Sequence, residues 1–406
     1  MLLNEMRIGV IVTGGIAAYK ATELVRQLVK AGAQVRVVMT ESACEFITPL
    51  TLQVLSRHRV LLDTFDEFDP EHVQHIEFAQ WCDAVIVAPA TANFLAKLSQ
   101  GLADDIALSC LLAVTSPVLL CPAMNNNMYN HPATKRNLKQ LTADGYYVLE
   151  PETGFLAEGY EAKGRLPQIS SIITCLESLL ASKKFPQLLA DQTVVVTAGG
   201  TVERIDPVRY ISNDSSGKMG YALAKFAVWL GAKVHFICSK EGFPILKGMT
   251  YIKVESARKM QEAVESVFDQ ADYVVMAAAV SDFRVKESAN EKIKKKDLEG
   301  DLKLTLVENP DILATLGRDK SSQIIIGFAA ETQNLLENAY KKLEKKNADW
   351  IIANDVSGKE TGFNSDLNQV VVLGRDGRIQ HLAKADKLTL AGQIWSIVTD
   401  QGIDDE

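Results

Sequence analysis

Two apolar segments that each run directly into a pair of glycines constrain this chain more than any other feature: Val12-Thr13-Gly14-Gly15 and Val196-Thr197-Ala198-Gly199-Gly200. An apolar strand without polar alternation is covered on both faces, as in a parallel sheet flanked by helices. A glycine turn after such a strand lets backbone N–H groups approach an anion, and a helix starting beyond it points its positive end at a phosphate. The device occurs twice, which predicts two nucleotide-handling α/β domains. The length of 406 residues suits that number, at about 200 residues per domain.

In the first half, 7–13, 34–40, 84–88, 117–121 and 146–149 read as strands. Helical periodicity covers 16–31, and 168–182 reads as a closing amphipathic helix. Ser182-Lys183-Lys184-Phe185-Pro186 breaks that helix before a new apolar strand begins at Thr193. The expected domains are therefore 1–190 and 191–406, divided near Ala190. In the second half, strands are expected at 193–198, 233–238, 271–278, 324–327 and 349–353, with helices at 218–230, 257–269 and 334–347. Residues 281–303 are polar, lysine-rich and without period, too long for a simple connector. Asp376-Gly377 between two apolar runs marks a hairpin, an edge or arm where an oligomer contact could form. Beyond the strand and the glycines the halves diverge, so one physical solution is used twice rather than copied in tandem.

Several function classes drop out. Apolar residues make up 47% of the chain, which excludes a disordered protein. A net charge of −8 argues against a nucleic-acid partner. No apolar run reaches the roughly 18 residues a bilayer requires, so no membrane partner is expected. Residues 1–7 carry an acid and lead straight into a strand, unlike a secretory signal. The six cysteines show no CxxC spacing, which points to reduced thiols and a cytoplasmic protein rather than a disulfide framework or zinc site.

In the first domain, Gly14-Gly15 lacks the full G-x-G-x-x-G pattern, so a mononucleotide is favoured over a dinucleotide. Thr40 ends the second strand with a hydroxyl, and Ala88-Pro89-Ala90-Thr91-Ala92-Asn93 ends a later one with small and hydroxyl residues. Ligands collect at such strand ends near a switch point. His75 precedes Trp81 and is either an acid/base group or a satisfied surface side chain. Asn125, in Pro122-Ala123-Met124-Asn125-Asn126-Asn127-Met128, is either a helix cap or a grip for a substrate carboxylate or amide.

Ile16-Ala17-Ala18-Tyr19-Lys20, His75-Ile76, Ala88 through Asn93 and Pro122-Ala123-Met124-Asn125 together resemble the FMN-dependent cysteine decarboxylases. The fused layout is similar to the bifunctional phosphopantothenoylcysteine decarboxylase/phosphopantothenate–cysteine ligase family of coenzyme A biosynthesis. The resemblance implies FMN oxidation of a cysteinyl thiol to a thioaldehyde, loss of the adjacent carboxylate, and reduction of the resulting enethiolate. It makes His75 the acid/base candidate and Asn125 the residue that orients substrate. Gly14, Gly15, Thr40, Ala90, Thr91 and Asn93 are the expected FMN contacts. One position departs from the family. Its substrate lid carries a cysteine that protonates the enethiolate, in a pattern like L-A-C-G, whereas this chain reads Leu156-Ala157-Glu158-Gly159. A buried glutamic acid that holds its proton is one candidate donor in its place; another group is the alternative.

In the second domain, Ser215-Ser216-Gly217-Lys218 opens a helix, either as a cap or to capture phosphate. It is not a P-loop, because Met219 follows the lysine. Ala277-Ala278-Ala279-Val280-Ser281-Asp282 ends a strand in small residues and a carboxylate, and Asn309-Pro310-Asp311-Ile312 begins a helix. Lys292-Ile293-Lys294-Lys295-Lys296 is either a solvated face or a loop that brings charge to a triphosphate. Gly327-Phe328-Ala329-Ala330-Glu331-Thr332 and Ala353-Asn354-Asp355 end further strands, and Lys342 and Lys346 share a helix face. These motifs resemble the ligase half of the same family. The resemblance implies CTP-dependent activation of 4'-phosphopantothenate as an acyl-cytidylate, then attack by the amine of L-cysteine. Asn213 would stabilise the acyl-cytidylate step. Ala278, Ala279, Val280 and Asp282, Lys292, Asn309, Pro310, Asp311 and Ile312, with Phe328, Lys342 and Lys346, would surround the nucleotide. Mg2+ is expected to neutralise the triphosphate, with Asp282 a candidate ligand. The implied fold class is α/β with two Rossmann-like domains, an N-terminal flavodoxin-like flavoprotein domain and a C-terminal doubly wound ligase domain. The implied assembly is a homo-oligomer with trimeric decarboxylase and dimeric ligase domains. Two alternatives stay open: a two-domain NAD(P)-dependent oxidoreductase, and a ligase fused to a flavin-binding domain with impaired decarboxylation.

Overall fold

In a computed structural model, which describes residues 2–65, 73–294, 301–331, 334–355 and 365–400, the first glycine pair ends a strand held in the middle of a sheet. The chain divides into two compact units, Met1–Lys184 and Phe185–Glu406. The division falls a few residues before Ala190. Phe185 stacks near Trp229 with ring centroids 6.0 Å apart, and the Leu189 N–H donates to Leu230 O at 2.8 Å. Residues 185–190 thus pack with the second unit.

In the first unit, β1 (Arg7–Val12), β2 (Gln34–Met39), β3 (Ala84–Ala90), β4 (Val118–Pro122) and β5 (Tyr147–Val148) form one sheet. Its order is β2-β1-β3-β4-β5, and every pairing is parallel. That is the flavodoxin-like order. The apolar runs lack alternation because both faces are covered. Ile8, Val10 and Val12 face Leu24 and Leu28 of the helix Ala21–Lys30 and Ile172 and Leu176 of the helix Ile169–Lys184. Ile11 joins the opposite core with Phe78, Leu95 and Leu108. The chain leaves β1 for β2 on one side and returns to β3 on the other, so the carboxyl ends of β1 and β3 flank a crevice. Thr13 Oγ1 ties them, donating to Pro89 O at 2.7 Å and accepting from Thr91 N at 3.1 Å. The expected lid is an antiparallel hairpin of β6 (Glu152–Phe155) and β7 (Glu161–Arg165), docked where Met124 N donates to Gly164 O at 3.0 Å.

The second unit contains β8 (Thr193–Ala198), β9 (Val202–Arg204), β10 (Tyr210–Ser212), β11 (Lys233–Cys238), β12 (Met249–Lys253) and β13 (Tyr273–Met276). It continues with β14 (Phe283–Val285), β15 (Leu306–Glu308), β16 (Ile324–Glu331), β17 (Trp350–Asp355), β18 (Leu367–Gly374) and β19 (Ile379–Asp386). The main sheet runs β12-β11-β8-β13-β16-β17-β18-β19. Its first six strands follow the doubly wound 3-2-1-4-5-6 order, with the switch point between β8 and β13. The hairpin expected around Asp376-Gly377 is β18–β19, an antiparallel edge added to β17. One face is covered by Met260, Val264, Leu316 and Leu343 among others. On the other, the helices Lys218–Trp229 and Lys387–Thr399 pack together, with Trp395 Nε1 donating to Leu223 O at 3.0 Å. The short antiparallel pairs β9–β10 and β14–β15 carry no run long enough to read from sequence.

Among the described residues no helix is long and apolar enough to cross a membrane. All six cysteines are free thiols. Burial raises Cys82 to about 12 and Cys238 to about 11, so neither is a ready nucleophile.

Candidate functional site

The crevice of the first unit opens into a cavity of 1020 Å³ at the carboxyl ends of β1, β3 and β4. It brings together Gly14, Gly15, Thr40, Thr91, Asn93 and Asn125, as expected from the sequence. Neither Gly14 nor Gly15 has a left-handed backbone; instead a Cβ on Gly14 would sit 2.3 Å from Ser42 Cβ, so the turn needs glycine to pass the segment after β2. No α-helix starts at Ile16 either. Residues Ile16–Lys20 form a 3-10 turn, and the α-helix starts at Ala21. One helix start at this cavity is that of Ala92–Ser99, capped by Thr91, whose side chain accepts from Phe94 N.

Thr40 is buried at the cavity wall, and its Oγ1 has no hydrogen-bond partner. A buried hydroxyl without a partner is costly unless a ligand supplies one. The Asn125 side chain reaches the hairpin: its Nδ2 donates to Glu158 Oε1 and to Tyr160 Oη, both at 2.9 Å. Glu158 lies at the rim and is exposed, so the reading of a buried acid there is corrected. Two cations that the sequence did not single out as ligand groups, Lys20 and Arg165, line the same cavity. Burial and the Arg165 charge push the Lys20 ammonium below its ordinary value, against a smaller opposing pull from Glu152. An anion between them would relieve that strain.

Two expected residues are elsewhere. Ala90 is fully buried in the core beside Phe94 and Leu95. The register of β3 shifts between Val87 and Ala90, which turns its side chain away from the cavity. His75, on the helix Gln74–Trp81, does not line this cavity. Its neighbour Phe78 packs against Gly9 in the middle of β1, which anchors the helix away from the strand ends. His75 Nδ1 is buried without a partner, and Ile76 beside it is exposed.

In the second unit a cavity of 820 Å³ lies at the carboxyl ends of β8, β13, β16 and β17. Here the glycine pair does coil: Gly199 has φ +82, and a Cβ on Gly200 would sit 2.2 Å from Asn213 O. That close pass sets Asn213 against the segment that follows β13, where its Nδ2 donates to Val280 O at 3.1 Å. The cavity is lined by Ala278, Ala279, Val280 and Asp282, by Asn309, Pro310, Asp311 and Ile312, and by Phe328, Lys342 and Lys346. Lys342 Nζ donates to Phe328 O at 2.7 Å, and Lys346 pairs with Asp311. Burial opposes the charge on Asp311, but the Lys346 ammonium and the Ala314 N–H outweigh it and hold its pKa low.

Lys292 is not brought to this cavity. The backbone of Ile293 is tied to Asp206 Oδ2 at 3.2 Å and to the Arg209 guanidinium at 3.0 Å, which leaves Lys292 exposed. Lys295, Lys296 and Thr332 lie outside the described residues. Asn354, at a strand end singled out in the sequence, lines the wall, and the structure adds Asn368 and Lys387. The signal of these two was weak, because they stand on elements distant in sequence from the rest of the site. Among the described residues no three His, Cys, Asp or Glu side chains cluster to hold a metal ion.

Residues 2–181 match the family described as Flavoprotein, and residues 189–401 match the DNA/pantothenate metabolism flavoprotein C-terminal domain. The second half is similar to the crystal structure of the C-terminal domain of coenzyme A biosynthesis bifunctional protein CoaBC, at 38% identity and a TM-score of 0.46, over 53% of this chain and 97% of that one. Coenzyme A biosynthesis bifunctional protein CoaBC of Haemophilus influenzae is 43% identical, covering 99% of both chains. The protein of that name in Bacillus subtilis is 48% identical over 394 residues, 97% of this chain and 96% of the relative. With both halves matched in order and over nearly full length, the chain belongs to the CoaBC family of bifunctional coenzyme A biosynthesis proteins.

Proposed function

We propose that the two cavities carry out consecutive steps of coenzyme A biosynthesis. The second unit is a phosphopantothenate–cysteine ligase, and the first is a phosphopantothenoylcysteine decarboxylase acting on its product. The observation that carries the reading is a carboxamide in each cavity, Asn125 and Asn213, set beside cationic side chains at a sheet switch point. Both substrates are acids with a phosphate, which such a pairing recognises.

FMN is the flavin proposed for the first cavity. The unpartnered Thr40 hydroxyl and the end of the helix Ala92–Ser99 suit its polar groups. Gly14, Gly15, Thr91 and Asn93 would form the remaining contacts. The flavin supplies the electron sink; the protein supplies position and protons. Asn125 orients the substrate carboxylate, and Lys20 and Arg165 offset negative charge on the ligand. His75 is the proposed acid/base, reaching the cavity of a neighbouring copy in a trimer. Its unpartnered Nδ1 and the exposed Ile76, Leu50 and Val54 support such an interface.

In the ligase, the Ala278-Ala279-Val280 backbone would read the cytosine base of CTP, while Lys342 and Lys346 would neutralise phosphate. Asn213 would hold the acyl-cytidylate. Lys292 would approach only when the loop closes over substrate. Mg2+ would neutralise the triphosphate, with Asp282 at the cavity wall a candidate ligand. The ligase domains would dimerise, and the protein would act in the cytoplasm. The NAD(P) oxidoreductase alternative is set aside by the family assignment.

The test is direct. Purified protein reconstituted with FMN should show flavin absorbance, and pyrophosphate release should require CTP and phosphopantothenate. Asn213→Ala should abolish ligation and spare decarboxylation, while His75→Asn does the reverse. Loss of both reactions in either folded variant would refute two independent sites.

A further inference from the structure

The cavity of the second unit receives side chains from both faces of its sheet. Asp311, Lys342 and Lys346 stand on or at the ends of the helices that bury Leu316 and Leu343 against one face. Ile351, Ala353 and Leu373 point into that same core. Alternation along β17 and β18 therefore turns Asn354 and Asn368 to the opposite face. The helices Lys218–Trp229 and Lys387–Thr399 cover that face, and both begin at the cavity. Asn354 stands across from Val370 in the antiparallel pair, so Asn368 lies on the next diagonal.

Three polar side chains of this part of the wall are deeply set: Asn354 is 9% exposed, Asn368 3% and Lys387 8%. Asn354 Oδ1 is buried without a hydrogen-bond partner, which is costly unless a ligand supplies a donor. Asn368 Oδ1 accepts from Gln369 N at 2.9 Å, which leaves its Nδ2 as the donor end. Lys387 Nζ donates to Ser365 O. Burial, and then the Lys218 charge, push the Lys387 ammonium below its ordinary value, against a pull from Asp366. Lys218 itself pairs with Asp366 at 2.5 Å. An anion beside Lys387 would offset both effects.

This wall offers an acceptor that lacks a donor, beside a donor amide and a buried cation. Its complement is a small ligand carrying an N–H donor and an anion close together, which is the zwitterion of an α-amino acid. The two ends of phosphopantothenate, a phosphate and a carboxylate, bring anions without a donor. The phosphates of the nucleotide are matched by Lys342 and Lys346 on the other face. We propose that Asn354, Asn368 and Lys387 bind L-cysteine in the ligase. Its ammonium group donates to Asn354 Oδ1, and its carboxylate lies against the Lys387 ammonium and the Asn368 amide. This rests on the ligase reading above and gives its third substrate a place. After loss of one proton the amine still has two N–H bonds, enough to hold Asn354 while its lone pair is free to attack the acyl group.

The test uses the full chain with saturating CTP and phosphopantothenate, and either L-cysteine or cysteamine as the amine. Cysteamine keeps the amine and the thiol but has no carboxylate. Lys387→Met should raise KM for cysteine on the order of 10- to 100-fold and leave that for cysteamine unchanged. Lys387→Arg should recover most of the loss. Lys387→Gln, which keeps a donor for Ser365 O, gives the same reading where the methionine variant does not fold. Asn354→Leu should raise KM for both amines about tenfold. Pyrophosphate release before any amine is added should be unchanged in every variant. An unchanged KM for cysteine, an equal loss for cysteine and cysteamine in the Lys387 variants, or a raised KM for CTP or phosphopantothenate would overturn the proposal. Absence of pyrophosphate release from the unaltered protein would instead overturn the ligase reading beneath it.

Discussion

Thr40 shows how a single side chain can separate binding from stability. Its hydroxyl is buried and unpartnered, so the protein gains nothing from it in isolation. Thr40→Val should leave the thermal midpoint unchanged or raised, yet weaken flavin binding about tenfold, the equivalent of roughly one hydrogen bond. Flavin fluorescence titration and a melting curve on the same sample give both values. An unchanged affinity would place the flavin away from β2. The lysines of the second cavity behave otherwise. Lys342 and Lys346 already hold Phe328 O and Asp311, so a nucleotide must compete for them rather than fill a vacancy.

At the scale of elements, the β9–β10 hairpin hangs on one carboxylate. Asp206 accepts from Val208 N at 2.8 Å, Arg209 N at 2.7 Å and Ile293 N at 3.2 Å, and pairs with the Arg209 guanidinium. Burial opposes its charge, but these donors together hold its pKa below the ordinary 3.8. A carboxylate depressed in the folded state contributes stability fully above its unfolded value, and loses it as pH falls through the folded one. Urea midpoints measured from about pH 5 to about pH 2 should therefore fall less steeply in Asp206→Asn than in the parent. Equal slopes would show that the hairpin does not depend on the charge. Because Ile293 is one of the groups held, the same variant should loosen the segment that carries Lys292.

For the whole molecule, each unit has a sheet with its own two-sided core. Chains 1–184 and 185–406 expressed separately should each fold, the first binding FMN and the second releasing pyrophosphate from CTP. Circular dichroism with either assay checks this. An unfolded second piece that recovers when the cut is moved downstream of Phe185 would contradict the packing of Phe185 and Leu189 described above. If the decarboxylase site needs His75 from a neighbour, the first piece should also lose activity on dilution to monomers.

The amino-acid sequence by itself determined the fold class, the two-unit order and part of each cavity's wall. Apolar runs without alternation report strands buried on both faces, and ligands gather at the ends of such strands, so Thr40, Asn125, Asn213 and the Ala278–Val280 stretch were legible. Local signals of this kind survive folding unchanged. What only the tertiary structure decided depends on registers and on partners distant in the chain. The shift in β3 turned Ala90 inward, Phe78 held His75 away from its own cavity, and Asp206 drew the backbone beside Lys292 outward. The same holds for the glycine pairs that looked alike. Gly14 is needed because Ser42 passes close, and Gly199 because its backbone is left-handed. Which constraint acts is set by what packs against the turn, and no local pattern carries that.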